Sequence, residues 1–340
     1  MKNGGNNLKK KLVRIVLMVV AIIIILFLVV INITSLPEAL LIRLLFANPN
    51  PKPLNEYKDM KEEVRIIKNI EYPSKYKENL LDIYLPKNEE DQFPVIIWVH
   101  GGAFAGGDKT DMKYYGEALA IDGYAVVSIN YMRAPEGKYP VPIMQISEVY
   151  NWMISEKDNY KFNIENLIFA GDSAGAQMVA QFVTIQTNME YSNFAKIAQT
   201  VDSNHIKATL LYCGIYDIKN IEGVTESKIL KYLFNKVGWS YFGNKNWKED
   251  FKEELTITNY INENYPATFI TDGNTYSFEK QGRELANKLR ERNIIVKEYY
   301  IPVEKKVTFH EYQFKMDTKQ GEEVYKEVIE FLNELQLFTY

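Results

Sequence analysis

The chain has 340 residues, 46% hydrophobic and 13% aromatic, enough apolar material for a large buried core. Its formal net charge is −4, so no overall positive field favours nucleic acid. The single cysteine, Cys213, excludes an intramolecular disulfide framework and reads as a small buried hydrophobe within an apolar run.

In chain order the first feature is an unbroken apolar run over residues 15–31, extendable to 33, preceded by Lys2, Lys9, Lys10, Lys11 and Arg14. At about 1.5 Å per residue it is near the lower limit for crossing a hydrocarbon core of about 30 Å. The run is longer than the apolar region of a cleaved signal peptide, and no Ala-x-Ala site follows it. The distribution of positive charge predicts a single-pass anchor in the cell membrane over 15–33. Residues 1–14 are then cytoplasmic, and everything beyond about residue 35 is extracytoplasmic. Ser35 and Pro37 signal a helix start. The apolar helix that follows is expected to lie on the membrane surface or to pack on the catalytic domain. A Pro-rich linker over 48–53 closes this 34–59 segment, and the catalytic domain is expected over 60–340.

Residues 64–72 and 80–86 read as an antiparallel strand pair. The near-continuous apolar run 94–99 reads as a strand buried on both faces, and His100-Gly101-Gly102-Ala103 follows it directly. Helices are expected over 111–122, 143–156, 174–186, 278–292 and 319–335, and strands over 124–130, 167–170, 206–213, 267–271 and 294–301. Residues 219–260, rich in Tyr, Phe and Trp, interrupt the alternation after the sixth strand. They form either a helical cap over a pocket or an ordinary surface excursion. Strands alternating with helices predict an α/β fold with a mostly parallel sheet and helices on both faces.

The strand at 167–170 runs through Gly171-Asp172-Ser173-Ala174-Gly175 into a helix. This is the strand–turn–helix context of a nucleophile elbow. Side chains two residues either side of the serine would collide with the flanking strand and helix, so glycine is needed there. A serine hydroxyl needs a base, and the base needs an orienting partner. Of three histidines, His100 enters a glycine turn and His205 precedes a strand, at the wrong end of a parallel sheet. His310 follows the last strand, on the edge that carries Ser173. Asp272, directly after a strand on the same edge, completes the order Ser173, Asp272, His310. Asp217 is the second candidate acid, and Asp272 also has a reading as a helix cap or a turn former with Gly273. The glycines after His100 let backbone amides approach a carbonyl oxygen, with the Ala174 N–H as second contributor.

These motifs, with Asn130-Tyr131-Met132-Arg133-Ala134-Pro135-Glu136, resemble the α/β-hydrolase superfamily, and within it the hormone-sensitive-lipase-like and related carboxylesterases. The resemblance spans roughly residues 60–336. It implies Ser173 as nucleophile, His310 as base, and the backbone N–H groups of Gly102, Ala103 and Ala174 as oxyanion hole. It departs from the family at Ala103 and Ala176, where glycine is common. It departs also at Tyr276, which occupies the slot of the acid in a Gly-x-x-Asp pattern that here begins at Gly273. The expected function is a membrane-anchored serine hydrolase that cleaves carboxylic esters, of short acyl groups, through an acyl-enzyme with a Ser-His-Asp triad and with no metal or other cofactor. A peptidase or amidase, a lipase, and a non-catalytic binding protein are the alternatives.

Overall fold

The computed structural model describes residues 3–47, 51–57, 61–87, 92–218, 221, 225, 227–251, 254 and 256–337. Part of the expected Pro-rich linker (48–50) and parts of the expected insertion (219, 220, 222–224, 226, 252, 253 and 255) lie outside these residues.

Eight strands form one sheet: β1 (Val64–Glu71), β2 (Leu80–Pro86), β3 (Phe93–Val99), β4 (Ala125–Ile129), β5 (Phe162–Asp172), β6 (Ile206–Tyr212), β7 (Ala267–Thr271) and β8 (Val296–Tyr299). The spatial order is β1-β2-β4-β3-β5-β6-β7-β8. Both pairings of β2 are antiparallel, and every pairing from β4 to β8 is parallel. All carboxyl ends of the parallel strands therefore meet on one edge, where ligands of open α/β sheets bind.

The two faces of the sheet are readable in β3, whose seven residues are all buried. Val95, Ile97 and Val99 enter one core, while Ile96 and Trp98 enter the other, as the two-residue strand period requires. The first core is covered by α4 (Val141–Tyr160), α5 (Ala174–Thr187) and α9 (Glu279–Arg290). The second is covered by α3 (Lys113–Ile121) and α10 (Lys319–Glu334). Every residue of α5 is buried, so this helix has no polar face to betray its period. α10 instead buries Val324, Tyr325, Val328, Phe331 and Leu332 on one side.

The strands that depart furthest from the sequence pattern are β5 and β8. β5 begins at Phe162 rather than at 167, because Phe162 and Asn163 pair with Phe93 and Pro94 before a register shift. Polar Asn163, Glu165 and Asn166 hide that extension from hydropathy. β8 ends at Tyr299, where its ladder with β7 ends at Thr271.

After the short α6 (Met189–Ala195), the excursion between β6 and β7 contains α7 (Lys228–Phe242) and α8 (Trp247–Asp250). It packs inward, over the glycine turn that follows β3. Tyr241 stacks on Phe104 of that turn with ring centroids 4.0 Å apart, and Tyr139, Phe242, Trp247 and Phe251 extend the aromatic cluster. Among the described residues none of this excursion lines the cavity beside His310, so its packing on the glycine turn does not by itself decide between a cap and a surface excursion.

At the amino end, α1 (Asn3–Ile33) precedes α2 (Leu36–Leu45). The 24 residues Lys10–Ile33 are long and apolar enough to cross a membrane by length and composition, and they are unburied along their length. α2 seats Glu38, Ala39 and Ile42 against the rest of the protein.

Candidate active site

Ser173 sits between β5 and α5 with φ 51° and ψ −117°, a strained conformation for a residue with a Cβ. The flanking glycines make the bend possible. A Cβ on Gly175 would lie 2.0 Å from the Val99 carbonyl oxygen, and one on Gly171 would lie 2.7 Å from the Gly175 carbonyl carbon. The Ser173 amide donates to the Tyr212 carbonyl at 2.7 Å, tying the elbow to β6. Ala174 opens α5, where first-turn amides have no partner within the helix and the dipole is positive.

His310 lies 2.9 Å from the Ser173 hydroxyl through Nε2, across 137 positions of sequence. The other ring nitrogen meets a residue that sequence reasoning missed. Nδ1 is 2.6 Å from the Ser277 hydroxyl, and that hydroxyl contacts Asp272 Oδ1. A hydroxyl has one proton. If Ser277 donates it to the carboxylate, the hydroxyl oxygen accepts from Nδ1–H, and Nε2 is left to accept from Ser173. The chain of contacts is thus Ser173, His310, Ser277, Asp272. The expectation that Asp272 touches the imidazole directly is corrected: one hydroxyl stands between them.

Asp272 is buried. It also accepts from the Gly273 amide at 2.7 Å and from the Phe278 amide at 2.9 Å, so it shapes the turn that leads into α9, which carries no side-chain cap of its own. Burial pushes its pKa up to about 7, against the hydrogen bonds from Ser277, Cys213 and these two amides. Asp217 lies elsewhere, its amide 3.0 Å from Gln281 Oε1 and its backbone bridged to Thr256. The signal for Ser277 in the sequence is its position, immediately after Tyr276, which occupies the slot of the family's acid.

Burial lowers the His310 pKa, which keeps the imidazole neutral and able to accept a proton. About a quarter of its side chain remains exposed, so water moderates that push. His100, by contrast, is fully enclosed. Its Nδ1 lies 2.8 Å from the Gly101 carbonyl oxygen, and its ring stacks on Tyr131 at 4.4 Å. Burial takes its pKa down to about 4. These contacts brace the turn.

That turn, residues 100–109, carries Gly102 at φ 103° and Ala103 at φ 52°. Three cations hold it. Arg133 donates to the Gly107 carbonyl at 2.9 Å while gripping Glu78 with Nε and Nη2. Arg43 of α2 donates to the Ala105 carbonyl at 3.0 Å and to the Ala134 carbonyl at 2.8 Å. Lys109 pairs with buried Asp82 at 2.9 Å.

A second unforeseen residue is Glu311, whose Oε1 is 3.6 Å from His310 Nε2. Its partner is Asp172 of the elbow. Asp172 accepts from Trp98 Nε1 and from the Gly101 amide, both at 2.8 Å. Burial and the neighbouring carboxyl raise the Glu311 pKa well above the usual range, and burial raises that of Asp172 to about 6. One proton shared between two close carboxyls accounts for the direction of both. A cavity of about 200 Å³ beside them is lined by Leu45, Phe46, Gly101, Gly102, His310 and Glu311. Cys213, Asp272 and His310 bring potential metal-ligand atoms within 4.8 Å of one another. Asp272 and His310 already belong to the chain of contacts that leads from Ser173, and among the described residues no fourth ligand joins the three.

Residues 81–289 match the model of the family described as BD-FAE. The chain belongs to the BD-FAE family. The match includes Ser173, Asp272 and Ser277 and ends before His310. The chain is 27% identical over 209 residues to esterase LipQ of Mycobacterium tuberculosis, covering 60% of this chain and 48% of that protein. It is 27% identical to the kynurenine formamidase of Drosophila melanogaster over 44% of this chain and 48% of that one. It thus spans about half the length of these curated relatives. Among solved structures it resembles esterase B from Lactobacillus rhamnosis, with TM-score 0.72 and 18% identity over 85% of this chain and 89% of that one. The likeness establishes the α/β-hydrolase fold of this BD-FAE member.

Proposed function

We propose that this BD-FAE protein is a membrane-anchored serine hydrolase of carboxylic esters. The observation that carries the reading is the 2.9 Å contact between His310 Nε2 and Ser173 Oγ, with Nδ1 held on the opposite side. Ser173 attacks the acyl carbon as Nε2 takes its proton. The Gly102, Ala103 and Ala174 amides receive the developing oxyanion. Asp272, acting through Ser277, stabilises the imidazolium, which then protonates the leaving alcohol. Water, activated by the same ring, attacks the acyl-enzyme and regenerates Ser173. None of these steps calls on a metal or another cofactor.

A cavity of about 200 Å³ beside the glycine turn favours a short acyl group. α1 serves as the anchor, with the amino terminus cytoplasmic and the hydrolase domain extracytoplasmic. A fluorophosphonate probe tests the chemistry: wild type is labelled and Ser173→Ala is not. Equal labelling of both, or none of the wild type, would support a non-catalytic binding protein instead. Likeness to a formamidase keeps an amidase as the second reading. p-Nitrophenyl acetate against the matching anilide separates the two.

A further inference from the structure

We propose that the outer face of α2 is a bilayer-docking surface, and that the active-site cavity receives the ester end of an amphiphile resident in that bilayer. The substrate half of this inference rests on the ester-hydrolase reading above; the docking half does not.

α2 has two faces. Glu38, Ala39 and Ile42 are buried, and Arg43 reaches the glycine turn. Leu36, Leu40, Leu41, Leu44 and Leu45 are all exposed, Leu44 by 73%. Their offsets of four, five, eight and nine residues place them on one side of a helix. Five large apolar side chains in one exposed stripe mark an interaction surface.

The covering partner follows from chain geometry. The 24 residues of the apolar stretch extend about 36 Å at about 1.5 Å per residue, slightly more than a hydrocarbon core of about 30 Å. α1 therefore leaves the core near Ile33. Only Thr34 and Ser35 separate it from α2, a reach of about 7 Å, so α2 cannot move far from the bilayer surface. The junction is braced by the excursion between β6 and β7: Lys236 and Lys245 donate to the carbonyls of Ile31 and Asn32 at the end of α1. Both ammonium groups lie over the Trp239 ring, at 4.5 and 4.9 Å, and Tyr232 donates to Glu38 at 2.8 Å. Lysine, tryptophan and tyrosine at the mouth of a spanning helix is the composition of a membrane interface. Ile229, one turn before Tyr232, adds an exposed apolar side chain from α7.

The same helix ends at the active site. Leu45 belongs to the exposed stripe and also lines the cavity, together with Phe46, Gly101, Gly102 and His310. An amphiphile lying among the leucines can present its ester to Ser173 without leaving the interface.

The test uses the full chain in phosphatidylcholine vesicles. Leu44→Cys and Ile229→Cys are each labelled with bimane, native Cys213 being buried. Brominated lipid is expected to quench both labels. Ile229 reports on α7, an element separate from α2 but bonded to it and to the end of α1, so quenching of both labels is what a single bilayer-facing surface requires. The triple variant Leu40→Gln, Leu41→Gln, Leu44→Gln keeps helix propensity and avoids the cavity-lining Leu45. It is expected to hydrolyse hexadecyl acetate in vesicles at least about tenfold more slowly, with p-nitrophenyl acetate in water changed by less than about twofold. Absence of quenching, or an unchanged vesicle rate, overturns the proposal. So does self-association in detergent that the triple variant abolishes, which would assign the face to a second copy. If wild type hydrolyses neither ester while both labels are quenched, the hydrolase reading fails and the docking surface stands.

Discussion

Replacing Ser277 by alanine removes one oxygen and so breaks two contacts. His310 Nδ1–H loses its acceptor at 2.6 Å, and Asp272 loses one of its donors. The Gly273 and Phe278 amides still hold the carboxylate, so the loop is expected to keep its shape. The loss falls on the imidazolium formed as Ser173 attacks. A hydrogen bond to a charged group contributes about 1.5–3 kcal/mol, and each 1.36 kcal/mol is about tenfold in rate. Ser277→Ala is therefore expected to lower kcat/KM for p-nitrophenyl acetate by about ten- to a hundredfold. Asp272→Asn keeps the shape but removes a charge that acts through an intervening hydroxyl, so about tenfold is expected. The double variant should cost little more than Ser277→Ala alone, because both changes interrupt one chain of contacts. If Ser277→Ala is silent while Asp272→Asn costs about ten-thousandfold, as removing the charge from a directly bonded acid does, then Asp272 engages His310 directly during turnover and the relay is wrong.

Gly175→Ala places a Cβ 2.0 Å from the Val99 carbonyl oxygen. Backbone on both sides leaves nothing to yield, so a cost of about 1–3 kcal/mol or more should appear in thermal unfolding, with loss of fluorophosphonate labelling. Lys109→Met strands buried Asp82, paired at 2.9 Å, and should cost about 3–5 kcal/mol; adding Asp82→Leu should recover much of it, and failure to recover would mean the pair does more than neutralise itself. Glu311→Gln tests the carboxyl pair. Both folded pKa values are raised, so the stability these groups contribute is present below about pH 4 and is lost as pH rises through about 6 for Asp172. The variant should match wild type near pH 4 and be the more stable of the two near pH 7.5. A pH-independent difference in melting temperature would refute the shared proton.

The sequence by itself determined what depends on short-range pattern and on the side chains available. Two-residue and helical periods yielded a mostly parallel sheet with helices on both faces. The glycine spacing around Ser173 announced a bend only a few residues can make, and the collision distances at Gly171 and Gly175 bear out that reason. His310 emerged by elimination, since parallel topology leaves few histidines on the right edge. Three things waited for the tertiary structure. The contact between His310 and Asp272 runs through Ser277, because which oxygen meets a ring depends on loop conformation and not on position along the strand order. Asp172 ends β5 and Glu311 lies in the loop after β8, about 140 residues further on, and their coupling exists only where that loop folds back beside the Gly101 amide that Asp172 accepts from. α2 carries two charged residues, Glu38 and Arg43, among apolar ones, and only packing decides that these face the protein with Ala39 and Ile42 while Leu40, Leu41 and Leu44 face outward. Periodicity states that a helix has sides; the surfaces it meets decide which side is which.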